Sequence, residues 1–297
     1  MDVRRHIVSR ARGVIAAALL LCAGGPAVAA PSPGQLLPDS LRRAGRISLA
    51  TDAHYAPCES LAPDNRTIVG FEPDIWNALG AKLGVKMDVT STAFSGLIPG
   101  VQSGRYQLAM ECIADTPVRE GRVTFVDFAY ATTSIYTLAS NRTVNANPLS
   151  LCGLRTAAQI GTDSVDSLGV LSTHCVKNHR PPLRTSLFPS ADAMFSAMIA
   201  GRIDFLIDDT CAEPALRAQL PVPIRLTPDP LLPRSYTGIV VLPSSGPLAQ
   251  ALLAALKAIQ ADGTYGRIMQ KWGIGALALN DPGINLATHR PLPAPQP

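Results

Sequence analysis

Polar and apolar positions alternate along Arg46-Ile47-Ser48-Leu49-Ala50, which predicts a strand. From Asp74 to Leu83 the apolar residues Ile75, Leu79 and Leu83 recur at helical spacing, and Gly84 ends the run. Alternation returns from Val85 to Val89. The order strand, helix, strand is that of an α/β layer.

Two later stretches repeat one plan. Leu97 to Tyr106 reads as a helix closed by Gly104-Arg105 and leads into the apolar Leu108-Ala109-Met110. Met194 to Ile203 reads as a helix closed by Gly201-Arg202 and leads into Phe205-Leu206-Ile207. Both apolar runs end in polar residues: Glu111, Cys112, Asp115, Thr116 and Arg119 after the first, Asp208, Asp209 and Thr210 after the second. Ligands of open α/β sheets bind just past the carboxyl ends of the strands. Two similar lobes with polar groups at that edge therefore predict a ligand held between them.

Leu248, Leu252, Leu256 and Ile259 form a further helical stripe, broken at Asp262-Gly263-Thr264-Tyr265 and followed by a helix from Arg267 to Trp272. Residues 30–45 read as a loose leader, and the Pro-rich stretch from Asn280 onward as a frayed tail. The first 29 residues read as an export signal. Arg4, Arg5, Arg10 and Arg12 precede an apolar run from Val14 to Ala23, and Ala27-Val28-Ala29 is a small-residue cleavage pattern. That run is shorter than the roughly 20 residues of a membrane span.

Composition narrows the function classes. Hydrophobic residues at 47% support a packed core, and aromatics at 5% argue against base-stacking modules. The formal charge of +4 drops to +1 once the N-terminal arginines and Asp2 are set aside, which leaves no basic footprint for nucleic acid. Export leaves five cysteines in an oxidising compartment: Cys58, Cys112, Cys152, Cys175 and Cys211. A Cys152–Cys175 bridge would close a loop of roughly 24 residues, worth about 3 kcal/mol by the chain-entropy model. Cys58–Cys112 is a second candidate, leaving Cys211 free. No GxSxG elbow, HExxH or P-loop is present, the histidines show no ligand spacing, and no metal or cofactor site is expected.

Several motifs resemble the polar amino-acid-binding proteins (family 3) of bacterial ABC importers. They are Thr51-Asp52-Ala53-His54-Tyr55-Ala56-Pro57, Gly70-Phe71-Glu72-Pro73-Asp74 and Phe94-Ser95-Gly96-Leu97-Ile98-Pro99. Further along come Asp115-Thr116-Pro117-Val118-Arg119, Gly161-Thr162, Gly201-Arg202-Ile203-Asp204 with Asp209, and Lys271-Trp272-Gly273. They fall in order over about residues 46 to 275. The resemblance implies an α/β, two-lobed, type II periplasmic binding fold with the ligand cleft between lobes. Lobe 1 is expected over 40–131 and 244–280 and lobe 2 over 132–243, with crossings near Tyr130–Thr133 and Val241–Ser245. The tail occupies 281–297.

The same resemblance implies site roles. Arg119 offers a guanidinium fork for a ligand α-carboxylate, with Thr116 starting the same turn. Thr162 and Asp163 form the opposing cradle at a helix start, where free N–H groups favour an anion, or Asp163 caps that helix. Asp209 is placed to pair with an α-ammonium, Tyr55 and Phe94 to sandwich the ligand side chain, and Asp52 to meet a basic one. Asp208, one residue earlier, is expected to point the opposite way. Glu111, Cys112 and Ala114 line the same wall but depart from the family pattern, Ala114 by lacking a hydroxyl. Together with Asp52, Glu59 and Asp209, Glu111 makes the expected cleft acidic, which leans toward a cationic ligand.

The expected function is that of a periplasmic solute-binding protein delivering an amino acid or related amine or carboxylate to a membrane permease, without catalysis. A dehydratase of prephenate-like substrates on the same fold and a ligand-sensing partner of a receptor are the other two readings.

Overall fold

The computed structural model describes Met1 and residues 31–232 and 234–294. The expected export signal, residues 1–29 with Cys22, lies outside the described residues apart from Met1. No helix among the described residues is long and apolar enough to cross a membrane.

The alternating segment forms strand Arg46–Thr51, which pairs in parallel with Lys86–Ser91 on one side and Leu108–Ala109 on the other. Between the first two runs helix Phe71–Leu83, whose residues Ile75, Leu79 and Leu83 pack with Leu248, Leu252 and Leu256 of helix Gly246–Ala261. Each such aliphatic burial is worth about 1.5–3 kcal/mol. The helix starts three residues before the predicted Asp74, because Pro73 fits a first turn whose N–H groups have no intrahelical acceptor.

A second parallel set is built from Arg155–Gln159, flanked by Arg184–Phe188 and Phe205–Asp209. One long strand, Thr124–Leu138, joins the two sets. Its first part pairs antiparallel with Arg234–Val241, from Thr124↔Val241 to Thr132↔Arg234. Its last part pairs with Phe205–Asp209 and Ile224–Thr227. The chain thus passes from one half to the other between Thr132 and Thr133.

The return passage falls elsewhere than expected. Arg234–Val241 pairs wholly within the first half, with the long strand, Leu108–Ala109 and Ala114–Asp115. The chain therefore comes back between Thr227 and Arg234, upstream of Val241–Ser245. The boundary at 243 placed a strand of the first half in the second.

The described stretches 31–45 and 280–294 are more ordered than their composition suggests. Residues Asp39–Ala44 form a helix and Leu37 is buried in the main core. The tail supplies a strand, Ala278–Ile284, paired with the long strand, then a helical turn, Leu286–His289. Carboxylates hold that turn: Asp127 accepts from the Leu286 amide at 2.9 Å, Asp115 from Ala287 at 3.0 Å and Glu120 from Thr288 at 3.2 Å. A tail bonded at its backbone to three side chains is not frayed.

Candidate functional site

The parallel strands of the two halves end toward a common cavity. Arg46–Thr51 leads to Asp52 and Tyr55, Leu108–Ala109 to Glu111 and Cys112, and Arg155–Gln159 to Gln159, Thr162 and Asp163. Phe205–Asp209 contributes Ile207, Asp208 and Asp209. All of these except Asp52 line the cavity, joined by Phe94, Ser164 and Met194. It holds about 40 Å³, far below the roughly 300–1,000 Å³ of small-molecule sites, so a ligand must part its walls.

One contact closes it. Tyr55 Oη lies 2.5 Å from Asp208 Oδ1, which also accepts from the Asp209 amide at 2.9 Å. Asp208 Oδ2 is buried with no partner among the described residues. Asp208 therefore faces the cavity beside Asp209, against expectation. Asp209 is the last residue of the strand, still extended at φ −63° and ψ 135°, and the turn Thr210–Ala212 follows it; both carboxyls border the cavity.

The opposite wall is also acidic. Glu111 is 4% exposed and accepts no hydrogen bond from the described residues. Burial pushes its carboxyl well above the usual range, and the charges of Glu72, Asp52, Asp209 and Asp208 push the same way. Asp209 is raised for like reasons, by burial and then by Asp208 and Asp163. Asp208 rises only to about 6: burial lifts it, while the Tyr55 hydroxyl favours its charged form.

Behind this wall Glu72 accepts from the Cys112 amide at 2.9 Å, fixing the residue after Glu111. Glu72 Oε2 and both Glu59 oxygens are buried without donors. Burial and the facing Glu72 push Glu59 well upward, and burial takes Glu72 to about 7, so one proton held on Glu59 supplies the missing donor. Asp74 of the same motif accepts from Lys271 Nζ and Trp272 Nε1, each at 2.7 Å, tying helix Phe71–Leu83 to the end of helix Thr264–Lys271.

Cys58 and Cys112 form a disulfide that anchors this wall, with Cα atoms 6.0 Å apart, and Cys152–Cys175 forms the other, at 5.5 Å. Cys211 is a free thiol. Burial and the nearby Asp209 and Asp208 push its pKa well up, which keeps it protonated and unreactive.

The remaining expected site residues stand apart from the cavity. Asp52 accepts from the Phe94 amide at 3.0 Å and lies 2.8 Å from His54 Nδ1, so it positions the aromatic ring. Thr116 caps the turn Pro117–Glu120. Arg119 lines a neighbouring cavity of about 220 Å³ that shares Phe94 with the first. Its Nη1 donates to Ala114 O at 2.7 Å and its Nη2 to Gly161 O at 2.8 Å, spanning the two halves. Gly161 has φ 92°, and a Cβ there would lie 3.3 Å from Ser95 Cα. Only glycine fits that close approach without strain. Gln159, Met194 and Ile207 are lining residues given no site role from sequence, while Ser164 ends the expected cradle turn. Gln159 was the findable one, as the last polar residue of a strand before a Gly-Thr turn. Among the described residues no cluster could hold a metal ion.

A two-lobed α/β fold with a polar cleft at the strand ends defines a solute-binding architecture. Residues 47–275 match the model of the bacterial extracellular solute-binding proteins, family 3, and the chain belongs to that family. It is 26% identical over 256 residues to the arginine-binding protein ArgT of Corynebacterium glutamicum, covering 86% of this chain and 83% of that one. Among solved structures, an ancestral arginine-binding protein bound to arginine superposes with a TM-score of 0.69 at 24% identity, covering 77% of this chain and 98% of that one. An ancestral amino-acid-binding protein, precursor of cyclohexadienyl dehydratase, superposes at 0.68 with 25% identity, over 80% and 99%.

Proposed function

We propose that the protein is the periplasmic receptor of an ABC importer and captures a small cationic ligand, an amino acid or amine, for a membrane permease. The carrying observation is the cavity itself: Asp208, Asp209 and Glu111 converge on it beside the rings of Tyr55 and Phe94. Buried carboxylates need cations, and an aromatic face adds a favourable quadrupole. Similarity to arginine-binding proteins supports the same charge preference. The ligand replaces the Tyr55–Asp208 bond when the halves part and re-close around it, and closure signals occupancy to the permease.

The test is calorimetry and thermal shift on protein unfolded and refolded to strip carried-over ligand. Cationic amino acids and amines are compared with glutamate, aspartate and sugars. A ligand at 100 times its Kd adds about 2.7 kcal/mol of stability. Stabilisation by cations alone supports the reading, and stabilisation by acidic ligands or sugars alone refutes it.

Dehydration of prephenate-like substrates is the second reading. The similarity to a dehydratase precursor and Glu111, a candidate general acid whose carboxyl burial raises well above its usual range, favour it. The charge of the cavity opposes it, since such substrates carry carboxylates and the lining supplies no cation. Loss of prephenate-like substrate on incubation with pure protein would establish it.

A further inference from the structure

The match to the family ends at residue 275, yet the chain beyond it is stitched to the first half. Strand Ala278–Ile284 pairs with the long strand, and Asn285 then grips Phe125 from both sides. Its amide donates to Phe125 O at 3.1 Å, and its Oδ1 accepts from the Phe125 amide at 2.8 Å. Leu286, at the start of the turn Leu286–His289, packs with Tyr236 and Leu279, and Tyr236 Oη donates to Arg290 O at 2.8 Å.

The turn placed in this way spends its free amides on one short stretch. The first amides of a helical turn have no acceptor within it. Here Ala287 donates to Asp115 Oδ2 at 3.0 Å and Thr288 to Glu120 Oε1 at 3.2 Å. Between those two acceptors lie Thr116 and the turn Pro117–Glu120, which carries Arg119. Just before them lies Ala114, whose carbonyl accepts from Arg119 Nη1 at 2.7 Å. The tail thus holds both ends of the segment that aims the guanidinium, and Arg119 Nη2 passes on to Gly161 O of the second half at 2.8 Å. Pro117–Glu120 buries none of its own residues, and a lone turn is not stable without outside support.

We infer that the turn Leu286–His289 is a positioning element for ligand capture: through Asp115 and Glu120 it sets the Arg119 turn, and with it the contact to Gly161 that joins the halves over a ligand. This rests on the reading of the protein as a receptor whose halves close, and it holds whatever the charge of the ligand.

Two variants test the inference: a chain ending at Asn285 and the full-length Glu120→Ala. Each is made with and without Arg119→Ala, and melting temperatures are recorded to show that they fold. Arginine is titrated calorimetrically into each refolded protein. Either variant alone should weaken binding about three- to tenfold, the worth of a lost hydrogen bond or two. In the Arg119→Ala background neither should weaken it further by more than about twofold, because groups that act through one residue are non-additive. Glu120→Gln keeps the acceptor oxygen and should restore binding to within about twofold of the wild type. An equal further loss in the Arg119→Ala background, wild-type affinity in either folded variant, or a Glu120→Gln as weak as Glu120→Ala each overturns the inference. Should arginine not bind, the receptor reading is judged by the wider ligand screen and the same cycle is read from urea midpoints. A stability loss on shortening the tail that shrinks by at least about half in the Arg119→Ala background then supports the inference, and additive losses overturn it.

Discussion

The phenol of Tyr55 and the carboxylate of Asp208 come from different halves of the protein and meet at 2.5 Å. The acceptor is thereby occupied by the protein's own donor until a ligand arrives. A hydrogen bond to a charged group contributes about 1.5–3 kcal/mol. Tyr55→Phe keeps the ring and removes only the donor. Its unliganded stability in urea should fall by about 1–3 kcal/mol. Its affinity for a cationic ligand should hold or rise, because the ligand no longer displaces the phenol. A parallel loss of stability and affinity would show that Tyr55 holds the ligand instead of standing in for it.

Arg119→Ala separates closing the cleft from gripping a carboxylate. The bond of Arg119 to Gly161 O joins the halves and that to Ala114 O holds the guanidinium in place, so their loss should favour the open form. Half-exposure reduces their worth, and about 1–2 kcal/mol, or roughly five- to thirtyfold in Kd, is expected for every ligand alike. Arg119→Lys should recover little, since one ammonium cannot repeat the fork. Titrating arginine and agmatine into both variants checks this. A loss confined to arginine would return Arg119 to the role of carboxylate clamp.

Much of this arrangement was written locally in the chain. The helical stripes and alternating strands are short-range patterns, and the cavity residues Tyr55, Phe94, Glu111, Cys112, Thr162, Asp163 and Asp209 stand at strand ends or turns marked by Gly, Pro or a run of polar residues. What was hidden depends on distant partners. The inward position of Asp208 depends on a phenol 153 positions away. Order in the tail comes from Asp115, Asp127 and Glu120, more than 150 positions upstream. The return passage was misplaced because Ile239-Val240-Val241 looks equally at home in either half.

The tail anchor carries a pH dependence. Asp115 Oδ1 and Asp127 Oδ1 are buried without donors, and one shared proton relieves both. Burial and the Asp127 charge raise Asp115 to about 9, and burial raises Asp127 to about 7 despite the Leu286 amide. Unfolded aspartates titrate near 3.9. The folded protein thus binds protons more tightly, and this stabilisation is complete below about pH 4 and is lost as pH rises through 7 and then 9. Asp127→Asn keeps an acceptor and provides its own donor, so it should flatten the decline of melting temperature between pH 6 and 9. An unchanged slope would assign the decline to the raised carboxyls of the cavity.

Ligand affinity should run the other way with pH. A cation favours ionised acceptors, while the free site holds protons: Asp208 titrates at about 6 and Glu72, behind the wall, at about 7. Tyr55, Asp163, Asp209 and Glu111 face the same space, and the charge of Asp163 adds to the hold of Asp208 on its proton. Binding therefore expels protons, and Kd should fall as pH rises from 5 to 7.5, by up to about tenfold per pH unit for each proton released. Calorimetry in two buffers of different ionisation enthalpy counts those protons directly. Asp208→Asn should remove the part of the rise centred near pH 6 and weaken binding at pH 7.5. Affinity that is flat or falls with pH would mean that the ligand does not engage these carboxylates in their charged form.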